Sequence, residues 1–182
     1  ALEDDPRSLR DRALLLIGWA GGFRSSELTG LDLSDIEEVR EGLILHLRKS
    51  KTDQTGQGRK IGIPLGRTRH CPVAALSGWL GALARPDGRV FRPVDRHGNV
   101  RGEVLRPDAV STILRDRLAT VGIEPKGYSG HSLRAGLVTS AIKAGVPTYK
   151  VRAQTGHASD VMLDRYVRDV GLFDGNAAGV LL

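Results

Sequence analysis

One cysteine, Cys71, is all that the 182 residues contain. An internal disulfide is therefore impossible, and a reducing, intracellular setting is the expectation. A thiolate zinc site is disfavoured for the same reason, and His46, His70 and His97 stand apart without the spacing of a ligand set, so neither a metal nor another cofactor is expected. Long apolar runs are missing too. Nothing approaches the roughly 18 consecutive apolar residues of a membrane-spanning helix, and no secretory signal pattern opens the chain, so no membrane partner is expected and the expected location is cytoplasmic. Internal repeats, low-complexity segments and any convincing boundary of a second domain are also lacking.

What is present has the balance of a folded domain with a polyanionic partner. Hydrophobic residues make up 40% and charged residues 26% of a length that suits one ordinary domain with a proper core. Lys and Arg outnumber Asp and Glu by 27 to 21, a formal net charge of +6. The excess is mostly arginine, whose planar fork matches phosphate oxygens in pairs. Charge alone fits a solvated basic surface equally well, so direction has to come from motifs.

Periodicity outlines a mostly α chain with one small antiparallel sheet. Ser8 is read as the cap of a helix from Leu9 to Trp19, with Ala13, Leu14, Ile17 and Ala20 as its buried stripe and Gly21-Gly22 as its stop. Ser25 and Ser26 are read as caps of a short second helix, which places Arg24 beside free backbone N–H groups. Leu43, Leu45 and Leu47 alternate with polar or outward residues, and Ile61 and Ile63 alternate again before Pro64, which predicts a β-hairpin. Gly56-Gln57-Gly58-Arg59-Lys60 lacks phosphate-loop spacing and is read as its turn. Helices are predicted from Pro72 to the Arg85-Pro86-Asp87-Gly88 break, from Pro107 through Leu118, from His131 to the Gly145 and Pro147 stop, and over residues 148–154 and 159–168.

The chemistry-bearing residues fall in order along this frame. Gly22-Phe23-Arg24-Ser25-Ser26-Glu27-Leu28 comes first, then Lys49-Ser50-Lys51-Thr52, His131-Ser132-Leu133-Arg134, Thr155-Gly156-His157 and Leu163-Asp164-Arg165-Tyr166. This series resembles the tyrosine recombinase (phage integrase) family, whose pattern is an arginine box, a hairpin lysine, His-x-x-Arg, a His or Trp, and then a Tyr. The gaps from Arg134 to His157 and from His157 to Tyr166 fit it, and the likeness runs from Leu9 to Tyr166.

The resemblance implies the catalytic-domain fold of DNA breaking-rejoining enzymes over residues 1–182. It also implies a site-specific recombinase or integrase acting on double-stranded DNA without metal or ATP. Tyr166 is the implied nucleophile, giving a covalent 3′-phosphotyrosine. Arg24 and Arg134 are the implied clamps on the scissile phosphate. His131 shares a helix face with Arg134 and either assists proton transfer from Tyr166 or holds the phosphate. His157 is the implied donor to a non-bridging oxygen, and Lys51, with Lys49 as competitor, the implied general acid for the leaving 5′-oxygen. Glu27 is expected to orient Arg24 or His131, or simply to serve as a charge at a helix start.

Tyr128 and Tyr149 lack the family spacing. The family also carries an N-terminal helical domain that completes a clamp around DNA, and this chain is expected to lack it. The apolar tail 169–182 is expected to dock on a neighbouring subunit of a tetrameric synapse or back on its own domain. Two rival readings remain: a non-catalytic helix-turn-helix reader spanning Val146 to Arg168, and a type IB topoisomerase-like enzyme.

Overall fold

The structure is a computed structural model that describes residues 5–48, 58–83, 87–102 and 104–170. Lys49, Lys51 and the tail from residue 171 lie outside the described residues. The first helix, α1 (Pro6–Gly21), begins earlier than its apolar stripe suggests. Its cap is Asp5, whose carboxylate accepts from the N–H groups of Arg7 and Ser8, with Pro6 in the first turn. Ser8 is thus inside the helix and buried, because the carboxylate before a proline is the stronger start signal. Ala13, Leu14 and Ile17 are fully enclosed, and Gly22 closes the helix in the left-handed region at φ 60.

A short helix α2 (Ser25–Thr29) follows at once. Its cap position is Arg24, and Ser25 and Ser26 are its first two residues. Glu27 Oε2 reaches back to accept the Arg24 N–H at 2.9 Å, so the acidic residue does the satisfying that the serines were expected to do. A single 3₁₀ turn, Leu33–Asp35, leads into a sheet of β1 (Ile36–Val39), β2 (Gly42–Leu47) and β3 (Arg59–Pro64), antiparallel in the order β1-β2-β3. The hairpin register pairs Leu43 with Ile63, Leu45 with Ile61 and Leu47 with Arg59, so the leucines and isoleucines share the buried face. β1 goes beyond the predicted hairpin. Its exposed Glu37 and Glu38 hide it from an apolar-alternation test, as suits a charged edge strand. Arg59 and Lys60, expected in the turn, are the first residues of β3.

Helix α3 (Pro72–Gly81) is capped by Cys71 Sγ, which accepts from the Ala74 N–H, and it ends before the expected Arg85 break. It lays Ala75, Leu76 and Trp79 against α1. Helix α4 (Ala109–Thr120) starts two residues after Pro107 and is fastened to α1 by Arg117, 2.7 Å from the buried carboxylate of Asp11. Helix α5 (Gly130–Lys143) packs on α1 and carries the chain into α6 (Thr148–Thr155) and α7 (Val161–Val170). These last three helices share a small apolar cluster of Val138, Val151 and Leu163, with Tyr166 packed on it, apart from the main core. Among the described residues no helix is long and apolar enough to cross a membrane.

Trp79 locks the main core chemically as well as by volume. It is fully buried, and its indole Nε1–H donates to the Val90 carbonyl at 2.7 Å. Trp79→Phe leaves that carbonyl without its donor and opens space beside α1, so urea unfolding is expected to show a loss of about 1–3 kcal/mol.

Candidate active site

The end of α1 supplies the first fixed point. Gly22 holds a positive φ, and a Cβ there would stand 2.7 Å from Thr155 Cγ2 and 2.9 Å from Leu137 Cδ2. The bare backbone is what lets the end of α6 approach. Arg134, on α5, then joins the two: its Nη1 donates to Gly22 O at 2.7 Å and also to Thr155 O. Arg134 is 2% exposed, and its Nη2 is enclosed with no protein acceptor among the described residues. Burial, and next the charge of Arg24, hold its pKa down to about 10, still high enough to keep the proton at neutral pH.

Arg24 and Glu27 form a unit at the start of α2. Arg24 Nη1 donates to Glu27 Oε1 at 2.7 Å, and the carboxylate is almost wholly buried. Glu27, expected to orient Arg24 or His131 or to serve as a charge at a helix start, makes this ion pair with Arg24. The same carboxylate takes a second guanidinium, Arg59 Nη2, at 3.4 Å.

The His157 ring is placed by Thr155, which is fully buried at the end of α6. The Thr155 hydroxyl donates to Val151 O at 2.7 Å, so at its 2.7 Å contact with His157 it accepts, which puts the imidazole proton on Nδ1. Nε2 is then the ring atom left for a bound group. Burial first, then Arg134, Arg24, His131 and Arg59, press the His157 pKa to about 4. The neutral ring presents a lone pair at Nε2, and it donates there only once an arriving anion favours the imidazolium. Arg152 braces the turn, donating to Ala158 O at 3.2 Å and meeting Asp160 at 3.2 Å. Gln154 ties α6 to α1 and β3 through Ala20 O at 2.9 Å and Gly62 O at 3.2 Å.

Across this cradle, Tyr166 Oη lies 3.4 Å from His131 Nε2. His131 is exposed in the first turn of α5, and Tyr166 is half-buried on α7. Arg24, Glu27, His131, Arg134, His157 and Tyr166 are thus brought together, whereas Lys51 lies outside the described residues. Tyr128 and Tyr149 are exposed. Sequence reasoning missed Arg59 and Thr155. Arg59 had a signal, since residues 59, 61 and 63 share one face of a strand. Thr155 had none, because its role depends on where the His157 ring turns. Taken together, three guanidiniums face one carboxylate beside a phenol in contact with an imidazole. Such a site can hold an oxyanion of phosphate type and bring an oxygen nucleophile to it.

Comparison with known proteins gives the family and the fold. Residues 1–170 match the model of the Phage integrase family. The integrase/recombinase xerD homolog of Selenomonas ruminantium is 35% identical over 176 residues, which cover 96% of this chain and 52% of that protein. Tyrosine recombinase XerD of Mycobacterium tuberculosis is 33% identical over 161 residues, 86% of this chain and 47% of that protein. The chain thus spans about half the length of the curated relatives it matches. The fold is that of the XerH site-specific recombinase bound to a palindromic difH substrate in a post-cleavage complex, with TM-score 0.74 and 18% identity over 97% of this chain and 47% of that one.

The depressed His157 pKa carries a sign. An unfolded imidazole ionises near 6.5 and the folded one at about 4, so between these values the unfolded chain binds the extra proton. The stability tied to the neutral ring is fully present above about pH 6.5 and is lost as pH falls toward about 4. Melting temperature followed by circular dichroism across that window is expected to fall less steeply in His157→Gln than in the wild type.

Proposed function

The chain belongs to the phage integrase family, and from that we propose that it carries the catalytic centre of a site-specific DNA recombinase working through a covalent 3′-phosphotyrosine. The observation that carries this reading is the Tyr166 Oη to His131 Nε2 contact of 3.4 Å beside the arginine cradle. Tyr166 Oη attacks the phosphorus while its proton passes to His131 Nε2. The bond from phosphorus to the 5′-oxygen breaks, and that oxygen leaves with the electron pair and takes a proton from Lys51. Arg24 and Arg134 hold the non-bridging oxygens, where charge grows in the five-coordinate transition state. Attack by a different 5′-hydroxyl on the phosphotyrosine reverses the step and joins new strands, with the bond energy conserved throughout.

Double-stranded DNA as partner is supported by the resemblance to XerH, which was captured with its difH substrate after cleavage. Assembly of several protomers on DNA, with the tail 169–182 docked on a neighbour, belongs to the same reading and rests on the family likeness. A helix-turn-helix reader is disfavoured. α6, the Gly156 turn and α7 are present, but Thr155 and His157 between them are buried against Arg134, an arrangement that a groove reader has no use for. A type IB topoisomerase would share the chemistry and yield relaxed DNA without recombinant product.

The test is covalent capture of nicked duplexes from a randomised library by the full-length protein. Tyr166→Phe removes the attacking oxygen and little else, so capture is expected to vanish while DNA affinity in gel-shift assays stays near wild type. Wild-type amounts of adduct in that variant would remove Tyr166 as nucleophile. For the general acid, Lys51→Ala is expected to cut slowly on the captured duplex and to recover when the bridging 5′-oxygen is replaced by sulfur, a leaving group that needs no proton. Lys49→Ala is expected to cut at the wild-type rate on both substrates, and rescue of Lys49→Ala instead would shift the role by two residues.

A further inference from the structure

We infer that Arg59 is a third guanidinium for the scissile phosphate, a substrate-contacting residue on β3 alongside Arg24 and Arg134. The inference rests on the strand-cleavage reading above and extends it to a residue outside the motif series. It begins from unmet hydrogen-bonding capacity. Among the described residues, Arg59 Nε and Nη1 are enclosed without a protein acceptor, as is Arg134 Nη2. The nearby acceptors are engaged: Glu27 is shared between Arg24 and Arg59 Nη2, while Gly22 O and Thr155 O take Arg134 Nη1. Leaving buried charged donors unpaired is costly, and an oxygen ligand with several lone pairs removes that cost at one stroke.

Charge points the same way. Among the described residues three guanidiniums gather around the one Glu27 carboxylate, an excess of positive charge suited to the negative charge that grows in a five-coordinate phosphoryl transition state. The repulsion is felt within the site. Burial and Arg24 lower the Arg59 pKa against the pull of Glu27, and Arg59 in turn presses on Arg134 and His157.

Backbone placement completes the case. Gly156, at φ +70, stands where a Cβ would overlap the Arg59 guanidinium, so the turn that carries His157 is shaped to admit this side chain. Arg59 also pairs with Leu47 at the last register position of the hairpin, the root of the segment that bears Lys51.

The test separates contact with the phosphate from a merely structural part. A methylphosphonate at the cleavage position replaces one charged non-bridging oxygen by methyl, so a side chain that acts on that charge matters less. With the full-length protein and the captured duplex, Arg59→Met is expected to slow adduct formation about tenfold to a hundredfold on phosphodiester, and less than about threefold on methylphosphonate. Arg24→Ala and Arg134→Ala serve as references for the same compression. Arg59→Lys, which keeps the charge but loses the fork, is expected to fall between, and it decides the matter should Arg59→Met show no cooperative melt.

An equal deficit on both substrates, or none on phosphodiester, would overturn the inference. A second readout needs no DNA. Orthovanadate, a tetrahedral phosphate analogue that readily takes a further oxygen ligand, is expected to raise the melting temperature of the wild type and to raise that of the Arg59 variants far less; an undiminished rise in them would also overturn it. Arg59-dependent vanadate binding without any wild-type DNA adduct would leave the anion site standing and remove the strand-cleavage reading instead.

Discussion

The guanidinium of Arg134 joins parts of the chain that are otherwise far apart in sequence. Its Nη1 donates both to Gly22 O, 112 residues away, and to Thr155 O, 21 residues on. Enclosing a cation at 2% exposure costs several kcal/mol, and two backbone carbonyls offset only part of it. The remainder appears as a pKa pulled down to about 10 and an Nη2 with no protein partner. Around this one residue the end of α1, the cap of α6 and the first turns of α5 meet in a fixed arrangement. Gly22 and Thr155 are shaped to allow it, the first by lacking a Cβ and the second by burying its methyl against that gap.

The electrostatic consequences follow from how few anions the described residues bring to the site. Glu27 is almost wholly buried and serves two arginines. His157 is neutral at ordinary pH, since burial and the surrounding cations oppose a further charge. Among the described residues the cradle thus carries more positive than negative charge, which is the balance that the proposed phosphate chemistry requires. Preorganised positive charge of this kind stabilises charge that develops later, with little rearrangement at the moment of reaction.

Tyr166 rests on a different foundation. α7 packs on α5 and α6 through Leu163 and the small cluster of Val138 and Val151, separate from the main core beneath α1. Fewer buried apolar contacts mean a lower free energy for local opening than in the core proper. Arg24 is therefore set beside the main core and Arg59 on its sheet, while the proposed nucleophile rests on the smaller cluster, which opens locally at less cost.

Much of this was legible beforehand, for identifiable reasons. Leu43, Leu45 and Leu47 against Ile61 and Ile63 report a strand pair because period two exposes every other side chain, and Ala13, Leu14 and Ile17 report a helix in the same way. The order and spacing of Arg24, His131, Arg134, His157 and Tyr166 pointed to the family through their resemblance to its motif series. Where reading failed, the competing signal was local and polar. Asp5 outranked Ser8 as a cap, and the glutamates of β1 concealed an edge strand. The sequence alone thus determined which residues can carry charge, transfer protons or attack, and which elements bear them. Only the tertiary structure decided that Arg59 enters the cradle, that Thr155 sets the His157 proton on Nδ1, and that one carboxylate serves two guanidiniums. Those outcomes depend on contacts between segments many residues apart, and no periodicity within a single segment encodes the distance between two of them.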